Sequence, residues 1–219
     1  MKHSRLLAIA LCTPWISSAT IINFDNAKPG VAPPRWSVAM THTGGSPKWE
    51  VRADESAPSK PNVLAQVSND ATAGRFPLAI WNGASLRNGT VSVKFKTVSG
   101  DVDQGAGLVW RYRDPNNYYI VRANALENNV VLYKVENGER RSLAPKGSAS
   151  KTYGMKHEVP KQTWSTLSVS FHGTLFTVSF DGQKLFDVED STFSGAGKTG
   201  LWTKSDSVIY FDDFQVQSK

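Results

Sequence analysis

From Thr90 onward, apolar residues recur at every second position, and this period constrains the fold more than any other feature of the chain. Val91, Val93 and Phe95 alternate with Ser92, Lys94 and Lys96. Leu167, Val169 and Phe171 alternate with Ser168 and Ser170, and Phe176, Val178 and Phe180 with Thr177 and Ser179. Side chains of an extended strand point to opposite faces in turn, so alternation describes strands with one buried face and one wet face. Asp181-Gly182 tolerates positive φ at both positions and predicts a two-residue hairpin turn. Further strands are predicted over 185–188, 200–204 and 208–216. No window of helical length carries a 3.6-residue stripe. The expected fold class is all-β, a two-sheet antiparallel jelly-roll sandwich.

The amino-terminal third reads differently. Most of the prolines fall between Asn26 and Arg75, which predicts long loops with brief strands over 21–24, 49–53 and 63–67. The stretch 144–160 is loop-like. Ahead of all this, Lys2, His3 and Arg5 precede the apolar run 6–12, and small residues follow up to Ala19. That is the pattern of a secretory signal over 1–19, with one jelly-roll domain over 20–219. The run is too short to cross a bilayer, which takes roughly 20 apolar residues. Leu11 stands where a lipid-anchor motif on Cys12 wants a small residue. Cys12 is the single cysteine, so a chain cut near Ala19 has no thiol for disulfides or zinc, in keeping with a secreted or periplasmic location. Burial must then stabilise the fold, and 7 Trp, 10 Phe and 6 Tyr supply the area. The net charge of +6 is spread singly, without the stripe that nucleic-acid binding needs.

The segment 101–136 carries the most functional information. Asp114-Pro115-Asn116-Asn117 is a turn, because proline presets φ and the flanking Asx residues tolerate the corner. Pairing Arg113 with Tyr118 across it puts Leu108, Trp110 and Tyr112 on a core face with Tyr119, Val121 and Ala123. Gly107, Val109, Arg111 and Arg113 then share the other face with Tyr118, Ile120, Arg122 and Asn124. That face is polar for a central hairpin and is predicted to bind a ligand. Sugar hydroxyls need planar, fixed donors and acceptors, which Arg and Asn provide, and pyranose faces need aromatic platforms. Arg111, Arg113, Tyr118, Arg122, Asn124, Tyr133 and Trp202 are the binding candidates. A solvated outer face, with Arg and Tyr lying over apolar surface, remains the alternative.

The stretch 106–135, with Gly-Leu-Val-Trp-Arg-Tyr-Arg, Asn-Asn-Tyr-Tyr-Ile-Val-Arg-Ala-Asn and Val-Val-Leu-Tyr-Lys-Val-Glu-Asn-Gly, resembles bacterial laminin-G-like, concanavalin A-like domains. Trp164-Ser-Thr-Leu-Ser-Val, Phe180-Asp-Gly-Gln-Lys-Leu-Phe and the closing Tyr210-Phe-Asp-Asp-Phe-Gln-Val extend the likeness. Within that superfamily the chain is similar to proteins grouped near the 3-keto-disaccharide hydrolase domain. The resemblance implies a jelly roll whose concave sheet often holds carbohydrate. It also implies a possible structural Ca²⁺ where first and last strands meet, for which Asp25, Asp212 and Asp213 are the candidates.

Catalysis is left open by the residues themselves. Family 16 glucanases alternate two glutamates and an aspartate along one strand, and no such run is present. Retaining hydrolysis requires paired carboxylates about 5 Å apart. A 3-keto-glycoside needs only a general base and an oxyanion-stabilising group, for which Asp103, Glu127 and His157 are the candidates. An exported carbohydrate-binding domain is therefore the leading reading. A 3-keto-disaccharide hydrolase and a structural envelope protein stand behind it.

Overall fold

The computed structural model describes residues 19–219, and the leader expected over 1–19 lies, but for its last residue, outside them. The described residues form sixteen strands and no helix. They are β1 (Thr20–Ile22), β2 (Trp36–Thr41), β3 (Trp49–Ala53), β4 (Asn62–Gln66), β5 (Phe76–Leu86), β6 (Gly89–Ser99), β7 (Gly105–Asp114) and β8 (Asn117–Asn124). There follow β9 (Asn129–Glu136), β10 (Glu139–Leu143), β11 (Met155–Lys156), β12 (Ser165–His172), β13 (Leu175–Phe180), β14 (Gln183–Glu189), β15 (Gly197–Thr203) and β16 (Val208–Ser218). One sheet runs β14-β13-β12-β6-β16-β4-β3, with β1 also on β16. The other runs β10-β9-β8-β7-β15-β5-β2, with β11 also on β9. The predicted two-sheet antiparallel sandwich is what forms.

Alternation explains the first sheet. Val91, Val93, Phe95, Leu167, Val169, Phe171, Phe176, Val178 and Phe180 of β6, β12 and β13 point inward and are buried, while the Ser, Thr and Lys residues between them lie half-exposed outside. Asp181 and Gly182 take φ of 46° and 79°, as the predicted hairpin turn requires. Strands β2 and β5 were not anticipated. Trp36 and Trp81 lie in the core, beside Phe214 of β16. Strand β5 is buried on both faces over its first half, which erases the period-2 signal.

The second sheet has two buried faces. Leu108, Trp110, Tyr119 and Val121 point into the inter-sheet core. Val109, Tyr118, Ile120, Val131, Tyr133 and Trp202 point the other way, yet form a second apolar cluster. The sheet curls over its own outer face. Past the end of β2, at one sheet edge, His42 places its ring nitrogens 2.7 Å from the Gly74 carbonyl and 2.8 Å from that of Gly138. Gly138 lies in the β9–β10 turn, at the opposite edge. Thr41 and the buried Tyr118 hydroxyl meet at 2.7 Å beside them. Arg140 of β10 then lies over the rings of Phe76, Tyr133 and Trp202. The face expected to be polar and open is apolar and roofed at this end.

The hairpin register departs from expectation at one point. Asp114 pairs with Asn117, which keeps the predicted count at the turn. Trp110 then pairs with Tyr119, so a bulge takes up the residues between. Arg111, with φ 48°, marks it. The bulge exchanges the faces of three residues. Tyr112 stands on the outer side against Tyr118, with ring centroids 6.0 Å apart. Arg111 turns to the core side over Phe171 and Phe176, and Arg113 lies over the Phe193 ring. Beyond the bulge the two extra residues preserve parity, so Arg122 and Asn124 remain on the predicted face. Gly197 of β15 permits the kink, because a Cβ there would fall 2.4 Å from the Arg111 carbonyl carbon.

Candidate functional site

At the end of the hollow away from His42, the second sheet ends in a polar cluster. Arg122 on β8 is wholly buried, and its two terminal nitrogens donate to the Glu127 carboxylate at 3.1 and 2.8 Å. One of them also donates to the Asn129 amide oxygen at 2.7 Å. The Asn129 amide nitrogen returns a bond to Glu127 at 2.9 Å. Asn124 donates to Asp103 at 2.7 Å and to Glu127 at 3.1 Å, while its oxygen accepts the Leu126 N–H. Asp103 is paired in turn with Lys204, from the β15–β16 loop. Each planar group orients the next, which holds the cluster rigid without disulfide or metal.

Local backbone brings these residues in. Asp206 accepts the N–H groups of Asp101, Val102 and Asp103 at 2.6, 3.0 and 2.9 Å, folding that loop around its carboxylate. Gly100 enters the loop at φ 146°, where a Cβ would lie 2.0 Å from the Asp103 carbonyl oxygen. Asp103 is thereby aimed at Asn124. Tyr133 lies beneath the Arg122 guanidinium, 5.7 Å from ring centroid to Cζ, and its hydroxyl meets that of Tyr153. Tyr153, on the loop before β11, is 48% exposed, so its ring borders the cluster from the solvent side.

Electrostatics favours fixed charges here. Burial pushes the Glu127 carboxyl up, but the bonds from Arg122 and Asn129 outweigh it and hold it below the ordinary 4.5. Burial also pushes the Tyr133 phenol up, so it stays neutral. Glu127 therefore accepts rather than donates. One donor of the cluster remains unmatched: Arg122 Nε is buried without a hydrogen-bond partner.

Of the residues predicted from sequence, the structure brings together Arg122, Asn124, Asp103, Glu127 and Tyr133. Arg111 lies elsewhere, near the roofed end, donating to the carbonyls of Phe193, Arg87 and Gly173. Arg113 is exposed on the core side of the bulge. Tyr118 and Trp202 are buried under Arg140 and the β2 end. His157 sits beyond the β8–β9 turn, its ring 4.6 Å from that of Phe180. Lys204, Asn129 and Tyr153 were not singled out. No local pattern marks the first two, and only its aromatic ring in a loop could have flagged the third.

The calcium candidates separate. Asp25 and Asp212 both bond Ser59, the first to its hydroxyl and the second to its N–H at 2.7 Å. Asp213, at φ 45°, turns away to Lys94 at 2.8 Å. Burial first, then the charges of Asp213 and Asp25, push the Asp212 carboxyl up to about 6. Among the described residues no group of three or more His, Cys, Asp or Glu could hold a metal. With Asp213 turned to Lys94, the three aspartates do not converge on one point as the expected Ca²⁺ site requires.

No family model and no curated protein matches the chain. Solved structures do. The carbohydrate-binding module CBM66 from Bacillus subtilis superposes with TM-score 0.61 at 20% identity, over 83% of this chain and 94% of that one. A protein of unknown function from Shewanella oneidensis MR-1 gives 0.54 at 14% identity, over 94% and 89%. A xylan β-1,4-xylosidase from Bacillus halodurans C-125 gives 0.55 at 15% identity, over 95% of this chain but 41% of the enzyme. At such identities the likeness is one of fold, the two-sheet antiparallel β-sandwich.

Proposed function

We propose that the chain is an exported carbohydrate-binding domain whose ligand docks on the Arg122–Glu127–Asn124–Asn129 cluster, with the Tyr153 ring as platform. One observation carries this reading. A guanidinium, a carboxylate and two amides are locked in one hydrogen-bonded group beside an exposed aromatic ring. Sugar hydroxyls both donate and accept, so they insert into such a lattice at low entropic cost. The similarity in fold to a carbohydrate-binding module supports the same reading. For export, the support is the basic start followed by residues 6–12, and the mass of the protein recovered from an extracytoplasmic fraction checks it.

A hydrolase of 3-keto-disaccharides is the second reading. What favours it is that Asp103 and Glu127 share the Asn124 amide nitrogen, which keeps two carboxylates close. Against it, each carboxylate is already engaged by a cation, Glu127 by Arg122 and Asp103 by Lys204, which weakens it as the general base that reaction needs. A glycan array followed by calorimetry, alongside incubation with a 3-keto-disaccharide, separates the two. Saturable binding that Glu127→Gln weakens, without release of sugar, supports the binding domain. Sugar release that Glu127→Gln abolishes would replace it with the hydrolase.

A further inference from the structure

Beyond the β8–β9 turn lies an open cleft of about 620 Å³, lined by Ala125, Asn128, Lys156, His157, Glu158 and Lys161 among others. It adjoins the cluster through Lys156. Lys156 of β11 pairs directly with Asn129 of β9, and cross-strand partners project to the same face. Asn129 is the residue that bonds both Arg122 and Glu127. The segment 153–161 thus carries Tyr153 at one end and the cleft's lysines at the other, wrapping the end of β9. It is anchored by the N–H of His157 on the Asn128 carbonyl at 3.1 Å and that of Val159 on the Asn128 side chain at 3.0 Å.

The charges along this path do not cancel. Asp103 is neutralised by Lys204 and Glu127 by Arg122. Lys156 and Lys161 are exposed and, among the described residues, form no ion pair. Glu158 is the one carboxylate lining the cleft. A ligand running from the cluster into the cleft meets a net positive wall. A neutral chain of sugars gains nothing from two solvated ammonium groups there. An anionic one gains charge-assisted hydrogen bonds.

We infer that the glycan is anionic, with at least one carboxylate or sulfate group seated between Lys156 and Lys161 while a neighbouring ring occupies the Arg122–Glu127 cluster. This rests on the proposed carbohydrate binding and narrows its ligand class. The test is an array of neutral, uronate-containing and sulfated oligosaccharides, followed by calorimetry with trigalacturonate and its methyl ester if uronates bind, or with the sulfated binder and its desulfated form. The expected result is preference for the anionic member. Replacing both Lys156 and Lys161 with Ala should weaken it about threefold to tenfold, leaving the neutral form unchanged. Both lysines are exposed, so the double variant keeps its melting temperature, and high salt mimics its effect on the intact protein. Equal affinity for charged and neutral partners, or binding of neutral glycans alone, overturns the inference while leaving the binding domain standing. Binding of no glycan overturns both, whereas neutral glycans whose binding Glu127→Gln weakens overturn only the anionic preference.

Discussion

Arg111 and Arg122 stand on neighbouring strands of one sheet, at 1% and 0% exposure, and do opposite things. Arg111 donates only to backbone carbonyls, those of Arg87, Gly173 and Phe193. It staples the β5–β6 turn, the β12–β13 turn and the loop after β14 over the end of the sandwich. Those carbonyls lose its donors if it leaves. Arg122 donates only to side chains, Glu127 and Asn129, and keeps Nε unmatched. Side chains can re-pair with an incoming hydroxyl, whereas loop carbonyls cannot move without the loop. Burial alone does not distinguish a structural arginine from a binding one. The chemistry of its acceptors does.

The largest expected effect falls at the stapled end. Arg111→Ala leaves buried carbonyls unpaired and should cost about 3 kcal/mol or more in urea unfolding, with glycan affinity of the folded fraction intact. A stable Arg111→Ala that has lost its ligand would reverse the comparison. At the other end, Arg122→Ala should lower glycan affinity by at least about 1 kcal/mol in calorimetry, as loss of a charged donor does. Unchanged affinity would remove the cluster from the site. Tyr153→Ala comes next: about 0.5–1 kcal/mol of affinity from the lost platform, with little change in melting temperature because the ring is exposed. The smallest effect belongs to Arg113→Ala. Only its contact over Phe193 is lost, which predicts about 0.5 kcal/mol of stability and no change in binding.

Acid should sharpen the contrast. Burial pushes the carboxyls of Asp190 and Asp206 up, but hydrogen bonds outweigh it in both, from Tyr119 and Thr192 in the first and from the 101–103 amides in the second. Both are held below the ordinary 3.8, and Glu127 below 4.5. Groups with depressed folded values stabilise the fold above their unfolded values and lose that contribution as pH falls through the folded ones. Asp212, pushed up to about 6, works the other way and adds stability as pH falls through that value. Melting temperature should therefore rise slightly from neutral pH toward about pH 5 and decline below about pH 4.5. Glycan binding should fade over the same acid range as Glu127 protonates. Binding that strengthens as Glu127 protonates would mean the ligand needs a donor there.

Much of the fold was legible because alternation is a local property. The Ser/Val and Thr/Phe runs of β6, β12 and β13 have one wet face each, and Asp181-Gly182 could turn in only a few ways. Strand β5 was missed for the complementary reason, since burial on both faces of its first half leaves no period to read; β2, an edge strand buried only at its two ends, shows no alternation either. The site was legible in part. Arg122, Asn124 and Glu127 belong to one hairpin and its turn, and counting from Asp114-Pro115 placed the first two on the right face. Arg111, Tyr112 and Arg113 were misplaced by a bulge that depends on Gly197, far along the chain.

The sequence by itself determined most of the strands, most of the turns and much of the inward set of apolar side chains, because each follows from steric preference and water over a few residues. Only the tertiary structure decided which part of the polar hairpin face stays open. That outcome depends on the curl of the whole sheet, which lets Arg140 and His42 roof one end. At the other it brings Lys204 and Tyr153 to Arg122 from distant loops, and no short window of the chain encodes a meeting of that kind.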